Sequence, residues 1–347
     1  MRIAARRRGQ IGLIAGGPPC QPFSRAGKRE TVEVSSGRLF QEFVRLVDGI
    51  RPRWFLFENV KGLILSKTDV LRVSCKHCGF REIAGAEMRF SQHHVRSARC
   101  SACGSSRLDW QTTLERAGSL QIILNEFQRV GYACHSAVLN AADYGAPQVR
   151  ERLFIVGSRY NVRFQWPEPT HCRTTTEPSL FEQERKPWRS LLSVWPHGHP
   201  RYGRLDPKKA VLWVKNVVRP HDEPVTWSIE RPSPTIGAHQ AAKLAVAPRG
   251  VPAAQLLRQQ WHIIGRRQRD LPPVKVEHEY LSDTDLLRLQ TFPDFWYFFG
   301  TRMQRAAQIG NAVPVVLAEA VARAIRGADI RTPLHRRNAA VTAVSRA

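Results

Sequence analysis

Residues 11–24 read IGLIAGGPPCQPFS, an apolar run that ends in a loop rich in glycine and proline. The run from Ile11 to Ala15 has the length and composition of a buried strand. The prolines around Cys20 make the loop stiff, because proline fixes its own φ and restricts the residue before it. The sequence therefore predicts a strand that ends in a rigid loop bearing a thiol.

The local sequence leaves two roles open for Cys20. The neighbouring cations Arg25, Lys28 and Arg29 favour the thiolate, which is the nucleophilic form of cysteine. A tight proline turn also suits a buried, inert cysteine. Residues further along the chain have to decide between these two roles.

Apolar segments with two different periods alternate along the chain, which predicts an α/β fold. Two further strands are predicted, at Trp54 to Phe57, ending in the polar pair Glu58-Asn59, and at Leu153 to Gly157. Helices are predicted after Ser36, over Ser119–Val130 and over Val313–Ile325. Such alternation is typical of a parallel sheet, whose chemistry lies at the carboxyl ends of the strands.

The charge of the chain predicts a polyanionic partner. The 347 residues carry 53 lysines and arginines against 29 acidic residues, a net charge of +24. The basic residues are spread over the whole chain, which suits a cleft that follows the phosphates of a DNA duplex, although a ribosome-associated protein would have a similar charge. No apolar run reaches the 18 or more residues of a membrane span, so we expect a cytoplasmic protein.

Four of the seven cysteines form two C-x-x-C pairs, Cys75 with Cys78 and Cys100 with Cys103. A glycine follows each pair, and this spacing is typical of a tetrahedral zinc site with four thiolate ligands. We therefore expect a structural Zn²⁺ in a zinc-ribbon insert over residues 71–107. Both a purely structural role and an added DNA contact are open for the ribbon.

Several short segments, taken in order along the chain, resemble the motifs of the cytosine-C5 DNA methyltransferase family. The first is the loop around Cys20, and the others are Glu58-Asn59-Val60, Gln148-Val149-Arg150-Glu151-Arg152, Arg231 to Ile236, Leu289 to Pro293 and Gln308 to Pro314. One such match could arise by chance, whereas this many in order identify the chain as a member of the family.

The resemblance implies a Rossmann-like S-adenosylmethionine-dependent methyltransferase fold and methylation of cytosine C5 in double-stranded DNA, as in restriction-modification or phage defence. It implies that the Cys20 thiolate attacks C6 of a cytosine extruded from the duplex. Glu58 would be the acid near N3, Arg152 would donate to O2, and Arg150 would help to orient the loop and the substrate. The family branch that methylates transfer RNA usually departs from Pro-Pro-Cys-Gln-Pro in this loop.

The resemblance also implies binding residues outside the catalytic group. The expected contacts with the cofactor S-adenosylmethionine are Gly17, Pro18, Pro19, Gly310 and Asn311. The expected contacts with the substrate DNA are Gln21, Ser24, Arg231 and Thr235.

One departure from the family pattern concerns the cofactor. The family begins with a strand and a Phe-x-Gly-x-Gly loop, and this sequence contains neither. We therefore expect an incomplete sheet with the Ile11–Ala15 strand at its edge, and poor methylation by this chain alone. Three explanations are open: a missing N-terminal segment, a second subunit that supplies the cofactor loop, or a catalytically inactive DNA-binding relic or regulatory subunit.

The motifs divide the chain into six predicted parts. These are the first part of the catalytic domain (1–70), the zinc ribbon (71–107), the continued catalytic domain (108–160), a target-recognition region (161–280), a C-terminal return to the catalytic domain (281–330) and a basic, disordered tail (331–347).

Overall fold

The computed structural model describes residues 9–18, 39–65, 67–84, 98–160, 162, 164–173, 185–207, 210–214, 225–236, 242–246 and 277–331. The chain forms two compact units. Unit 1 comprises Met1–Leu139, Glu151–Trp166 and Ile325–Ala347, and unit 2 comprises Asn140–Arg150 and Pro167–Ala324. Of the tail predicted to be disordered (331–347), all residues except Arg331 lie outside the described residues.

Unit 1 contains a four-stranded sheet and the helices that pack on it. In chain order the elements are β1 (Leu13–Gly16), α1 (Leu39–Ile50), β2 (Trp54–Val60), α2 (Gly62–Leu65), β3 (Lys67–Cys75), β4 (Arg81–Ile83), β5 (Leu108–Arg116), α3 (Gly118–Arg129), β6 (Ala133–Asn140) and β7 (Glu151–Ser158). The sheet has the order β1-β2-β7-β6. This architecture confirms the predicted α/β methyltransferase class.

The direction of β7 and the end of β2 differ from the sequence-based expectations. β1 runs parallel to β2, but β7 runs antiparallel to β2, so the sheet is mixed rather than parallel. β2 also continues through Glu58 and Asn59 to Val60, because β7 pairs with it over its whole length. An apolar run shows neither the direction of a strand nor how far its partner extends it.

The core of unit 1 follows the helical and strand periods of the sequence. Helix α1 buries Phe40, Phe43, Val44 and Val47, which recur at helical spacing and belong to the same core as Phe55 and Phe57 of β2. Gly157 of β7 lies so close to Phe55 that a Cβ atom there would come within 1.9 Å of the ring. A side chain at position 157 would therefore force the two central strands apart.

Strand β1 lies at one edge of the sheet. β2 pairs with it on one side, and no described strand pairs with it on the other. Its first residue, Leu13, is 39% exposed. An edge strand with apolar residues is a surface that proteins usually cover or protect.

The cysteine insert forms a second, three-stranded antiparallel sheet in the order β4-β3-β5. β3 and β5 pair over nine residues each, from Lys67 opposite Arg116 to Cys75 opposite Leu108. Thr68 and Ser119 share a buried hydrogen bond of 2.6 Å, and Asn125 Nδ2 donates to the carbonyl of Ile83 at 3.0 Å. These bonds attach the insert to helix α3.

Unit 2 is built on a second antiparallel sheet and three helices. Its elements are β8 (His171–Cys172), β9 (Lys186–Pro187), β10 (Ala210–Val214), β11 (Val225–Ser228), β12 (Ala242–Val246), β13 (Glu277–Tyr280), α4 (Asp283–Leu289), α5 (Arg302–Asn311) and most of α6 (Val315–Arg331). The larger sheet has the order β11-β10-β12-β13. Its core includes Leu191, Trp195, Ile229, Leu244 and Leu289.

The stretch Arg302–Arg331 is long and apolar enough for a membrane span by length and composition alone. In the structure it is divided between α5, of 10 residues, and α6, of 17 residues. Helix α6 buries Leu317, Val321, Ile325 and Ala328. In unit 1, Asp329 near its end accepts a hydrogen bond of 3.0 Å from Trp54 Nε1. These are features of a core helix.

Candidate functional site

Glu58 and Arg152 form an ion pair on one face of the unit 1 sheet. Val60 pairs with Arg152 across the strands, so Glu58, two residues earlier on the same face, lies diagonal to Arg152. Arg152 Nε lies 3.1 Å from Glu58 Oε1, with side-chain exposures of 13% and 20%. Burial lowers the pKa of Arg152, and the charge of Glu58 opposes that shift. The structure thus brings together two of the predicted catalytic residues.

The same strand end holds the beginning of the Gly-Gly-Pro-Pro loop. Asn59 Nδ2 donates to the carbonyl oxygen of Pro18 at 3.1 Å. A Cβ atom at Gly17 would lie 2.7 Å from Glu58 Oε2, so glycine leaves the space that the carboxylate occupies. Pro19, Cys20, Gln21 and Ser24 lie outside the described residues. Their predicted roles stay predictions, but the loop leading to them is fixed to the Glu58-Asn59 pair.

Arg150 is fully buried in unit 2, where its guanidinium contacts backbone carbonyls. Nη2 donates to the carbonyl of Gly310 at 2.7 Å, and Nη1 to that of Ile236 at 3.5 Å. The backbone N–H of Arg150 donates to Asn140 Oδ1 at 3.0 Å. With no exposed surface, this side chain is suited to holding three motif segments together. That position favours an orienting role over contact with a substrate.

The Arg231–Ile236 segment runs alongside the segment before Arg150. Val149 N donates to the Ser233 carbonyl at 2.8 Å, and the Thr235 hydroxyl donates to the Val149 carbonyl at 2.7 Å. The side chain of Arg231 is exposed. Thr235 therefore supports the backbone of unit 2, and Arg231 is accessible to a ligand. Their predicted contacts with DNA stay predictions.

The second predicted cofactor segment lies at the end of α5. Gly310 is buried and its carbonyl is held by Arg150, whereas Asn311 is exposed. Gln308 Nε2 donates to the carbonyl of Phe299 at 2.9 Å, which joins this segment to the run before α5.

Among the described residues of unit 2, this run and the first turn of α5 carry the most exposed large apolar side chains. Their exposed fractions are 73% for Phe295, 49% for Trp296, 80% for Tyr297, 84% for Phe299 and 79% for Met303. Five such residues within nine positions exceed the scattered apolar exposure of an ordinary surface. The sequence does not predict this exposure, because large apolar side chains are usually buried in a core.

The four predicted zinc ligands converge at the tip of the insert. The sulfur atoms of Cys75, Cys78, Cys100 and Cys103 all lie within 4.8 Å of one another. Cys75 and Cys103 are 3.6 Å apart, as are Cys78 and Cys100. A disulfide requires about 2.05 Å. A tetrahedron with Zn–S bonds of about 2.3 Å has sulfur atoms about 3.8 Å apart, so the cluster fits zinc.

Backbone N–H groups favour a thiolate in this cluster. The backbone of Cys78 has the largest effect on Cys75, with that of His77 adding to it, and together with the neighbouring thiols they lower the pKa of Cys75 to about 6. The backbone of Ser105 acts in the same direction on Cys103, but the nearby sulfur atoms and burial raise the pKa of Cys103 to about 12. Zinc binds thiolates, so a bound ion would displace the protons from the thiols whose pKa is raised.

The chain matches a known protein family over most of its length. The family model described as C-5 cytosine-specific DNA methylase matches residues 4–78 and 112–327. The residues between these two segments, 79–111, contain β4 and the second cysteine pair. That part of the ribbon is therefore additional to the family pattern.

Three curated relatives are type II methyltransferases. M.AquIA of a Picosynechococcus species is 34% identical over 52% of this chain and 58% of its own length. M1.HphI of Haemophilus parahaemolyticus is 26% identical over 91% of this chain and 68% of its length. M.HindV of Haemophilus influenzae is 29% identical over 90% of this chain and 74% of its length. The chain thus spans between 58% and 74% of the length of these relatives.

Among solved structures, the chain is similar to DNMT2 of Spodoptera frugiperda. The TM-score is 0.47 at 14% identity, covering 91% of this chain and 80% of that one.

The buried contacts of Arg150 predict a large effect of its removal. Arg150→Met leaves the carbonyls of Gly310 and Ile236 without their charged donor, and we expect the free energy of unfolding to fall by about 2–4 kcal/mol. Urea unfolding followed by tryptophan fluorescence measures this. The matched control is Arg231→Met, an exposed position where we expect a change within about 0.5 kcal/mol. Equal losses in the two variants would contradict the assignment.

Proposed function

The chain belongs to the C-5 cytosine-specific DNA methylase family, and from this premise we propose that it methylates C5 of cytosine in double-stranded DNA through a covalent Cys20 adduct. The observation that carries the proposal is the half-buried ion pair of Glu58 and Arg152 beside the loop that leads to Cys20. The excess of basic residues supports a DNA substrate, because phosphate neutralisation drives such binding.

In the proposed reaction, the Cys20 thiolate forms a bond to C6 of an extruded cytosine, and the electron pair of the C5–C6 bond moves onto the ring. Glu58 holds a proton at N3, where charge develops, and Arg152 donates to O2. C5 takes the methyl group as its bond to the donor sulfur breaks, which would leave a neutral thioether. A base from solvent then removes the C5 proton, and the electron pair of that C–H bond re-forms the C5–C6 double bond and expels the thiolate. The partial burial of Glu58 and Arg152 supports these roles, because hydrogen bonds to charged groups are stronger where less water surrounds them.

S-adenosylmethionine, when bound, would supply the electrophilic methyl group. The described residues fit part of such a site: Gly17 has no side chain to obstruct the loop, and Asn311 is exposed next to the buried Gly310. No described segment has the sequence Phe-x-Gly-x-Gly that the family uses for the methionine part. We therefore propose that Gly17, Pro18, Pro19, Gly310 and Asn311 supply only part of the contacts with the cofactor.

A further polypeptide segment, on the same chain or on a second subunit, would complete the site. Two observations support this. β1 has an edge that no described strand pairs, and the run from Phe295 to Met303 exposes five large apolar side chains. At about 200 Å² for each side chain, that run exposes roughly 700 Å² of apolar side chain, close to one side of a standard protein interface.

The biological setting would be restriction-modification or phage defence. The curated relatives named above are type II methyltransferases, and two of them match about nine-tenths of this chain. The unmatched residues 79–111 would complete a structural zinc ribbon that begins in the matched segment, at Cys75 and Cys78. Its four cysteines would each contribute a thiolate ligand.

Replacement of Cys20 separates an enzyme from a DNA-binding relic. In the organism that encodes the chain, a deletion strain complemented with Cys20→Ser should lose C5-methylated sites in bisulfite sequencing, because serine is a far weaker nucleophile. Purified Cys20→Ser should bind duplex DNA within about twofold of the unmodified chain, since the change removes no charge at a phosphate contact. Cys172→Ser is the matched control and should restore methylation. Unchanged methylation with Cys20→Ser would support the relic.

The chain purified alone should bind S-adenosylmethionine weakly. Titration calorimetry should give no saturable heat, and transfer of a tritiated methyl group to duplex DNA should be slow, because one side of the cofactor site is supplied elsewhere. Tight binding together with robust transfer by this polypeptide alone would refute the need for a completing segment.

Zinc should copurify with the chain at one ion per molecule under reducing conditions. Changing the exposed ligands in Cys78→Ser/Cys103→Ser should remove the metal and lower the melting temperature, because ligand binding contributes directly to the stability of such small sheets. Cys134→Ser should retain the full metal content. Elemental analysis that finds no zinc in the unmodified chain would exclude the ribbon site.

A further inference from the structure

A small cavity in unit 2 lies where four of the motif segments meet. Its volume is about 20 Å³, and its lining comes from Gln148, Ile236, Leu286, Leu289, Gln290, Ala306, Ile309 and Gly310. The lining thus includes Gln148, the first residue of Gln-Val-Arg-Glu-Arg, and Ile236, the last of Arg-Pro-Ser-Pro-Thr-Ile. It also includes residues of both C-terminal segments. The catalytic proposal uses neither of the two glutamines.

The two glutamines are buried, and parts of their amide groups have no hydrogen-bond partner among the described residues. Gln148 is 1% exposed and Gln290 is 2% exposed. Both polar atoms of the Gln148 side chain and Oε1 of Gln290 are without a partner. An amide buried in this way costs about 1–3 kcal/mol unless something pairs with it. Most of the remaining lining is aliphatic, so the described residues supply no obvious partner there.

The size of the cavity determines what it can hold. A water molecule needs about 10–15 Å³ of such volume, so the cavity accepts one ordered water, and a nucleobase or any part of the cofactor larger than that is excluded. We propose that Gln148 and Gln290 bind an ordered water here and act as positioning residues for the Gly310-Asn311 segment. Gln148 Nε2 donates to the water, and the water donates to Gln290 Oε1.

The proposed water would join parts that are otherwise held separately. Arg150 binds the carbonyl of Gly310 on one side, and the carbonyl of Gln290 accepts from Val315 N at 3.0 Å, at the start of α6. The end of α5, which presents Asn311, and the short loop to α6 therefore lie between two anchored points. The water would fix the distance between them. The importance of Asn311 rests on the proposed function, whereas the hydration site does not.

A double-mutant cycle tests the shared water. Gln148→Met and Gln290→Met each keep the approximate side-chain volume but leave the opposite amide unpaired, so each should lower the melting temperature by about 2–6 °C. The double variant removes both polar partners and should lose clearly less than the sum of the single losses. Gln111→Met, at an exposed position, is the control and should leave the melting temperature unchanged.

Hydrogen exchange distinguishes a positioning role at Gly310 and Asn311 from a general loss of stability. In both single variants the backbone amides of Gly310 and Asn311 should exchange at least several-fold faster, while those of strand β3 in unit 1 should not change. Additive losses in the cycle, or unchanged exchange at Gly310 and Asn311, would overturn the proposal. Because neither measurement involves methyl transfer, they can fail or succeed independently of the proposed reaction.

Discussion

The antiparallel pairing of β2 with β7 is the constraint on which the catalytic half of the molecule depends. With Val60 opposite Arg152, the register sets Glu58 and Arg152 diagonally on one face, where they pair at 3.1 Å. A slip of one residue would move the carboxylate to the other face of the sheet. The register is held by buried apolar residues on both strands and by the missing side chain of Gly157. Packing of the core thus determines the geometry of the charged pair.

Much of this fold follows from sequence, and the parts that do not have physical reasons. The apolar periods predict the strands around Phe55 and Ile155 and the helices beginning near Leu39 and Ser119. These patterns do not predict that β7 runs antiparallel to β2, because neither an alternating pattern nor a continuous apolar run shows the direction of a strand in its sheet. The cysteine spacing predicts a four-thiol cluster, since ligand spacing is local. The Glu58–Arg152 contact joins residues 94 positions apart, and no local pattern predicts such a contact. Only the family resemblance placed the two residues in one site.

Several motif residues use their side chains to form hydrogen bonds with backbone carbonyl groups. Asn59 binds the Pro18 carbonyl, Arg150 binds that of Gly310, and Thr235 binds that of Val149. Each of these bonds joins segments that are far apart in the chain. Each therefore fixes a loop that carries, or lies next to, a residue with a proposed chemical role. The motifs therefore combine groups suited to a substrate with groups that fix the loops carrying them. The ribbon extends this pattern, with β3 and α3 joined by a buried hydrogen bond.

The central claim is that Glu58, held by Arg152, assists thiolate addition at C6, a step that needs no methyl donor. Addition lets C5 take a proton from water, and elimination then releases the original C5 hydrogen. Duplex DNA with tritium at C5 of cytosine measures this step without cofactor. We predict release at least about 100-fold slower with Glu58→Gln than with the unmodified chain, the size of a lost general acid, and no such loss with the exposed control Glu42→Gln. Equal release by Glu58→Gln and the unmodified chain would contradict the account.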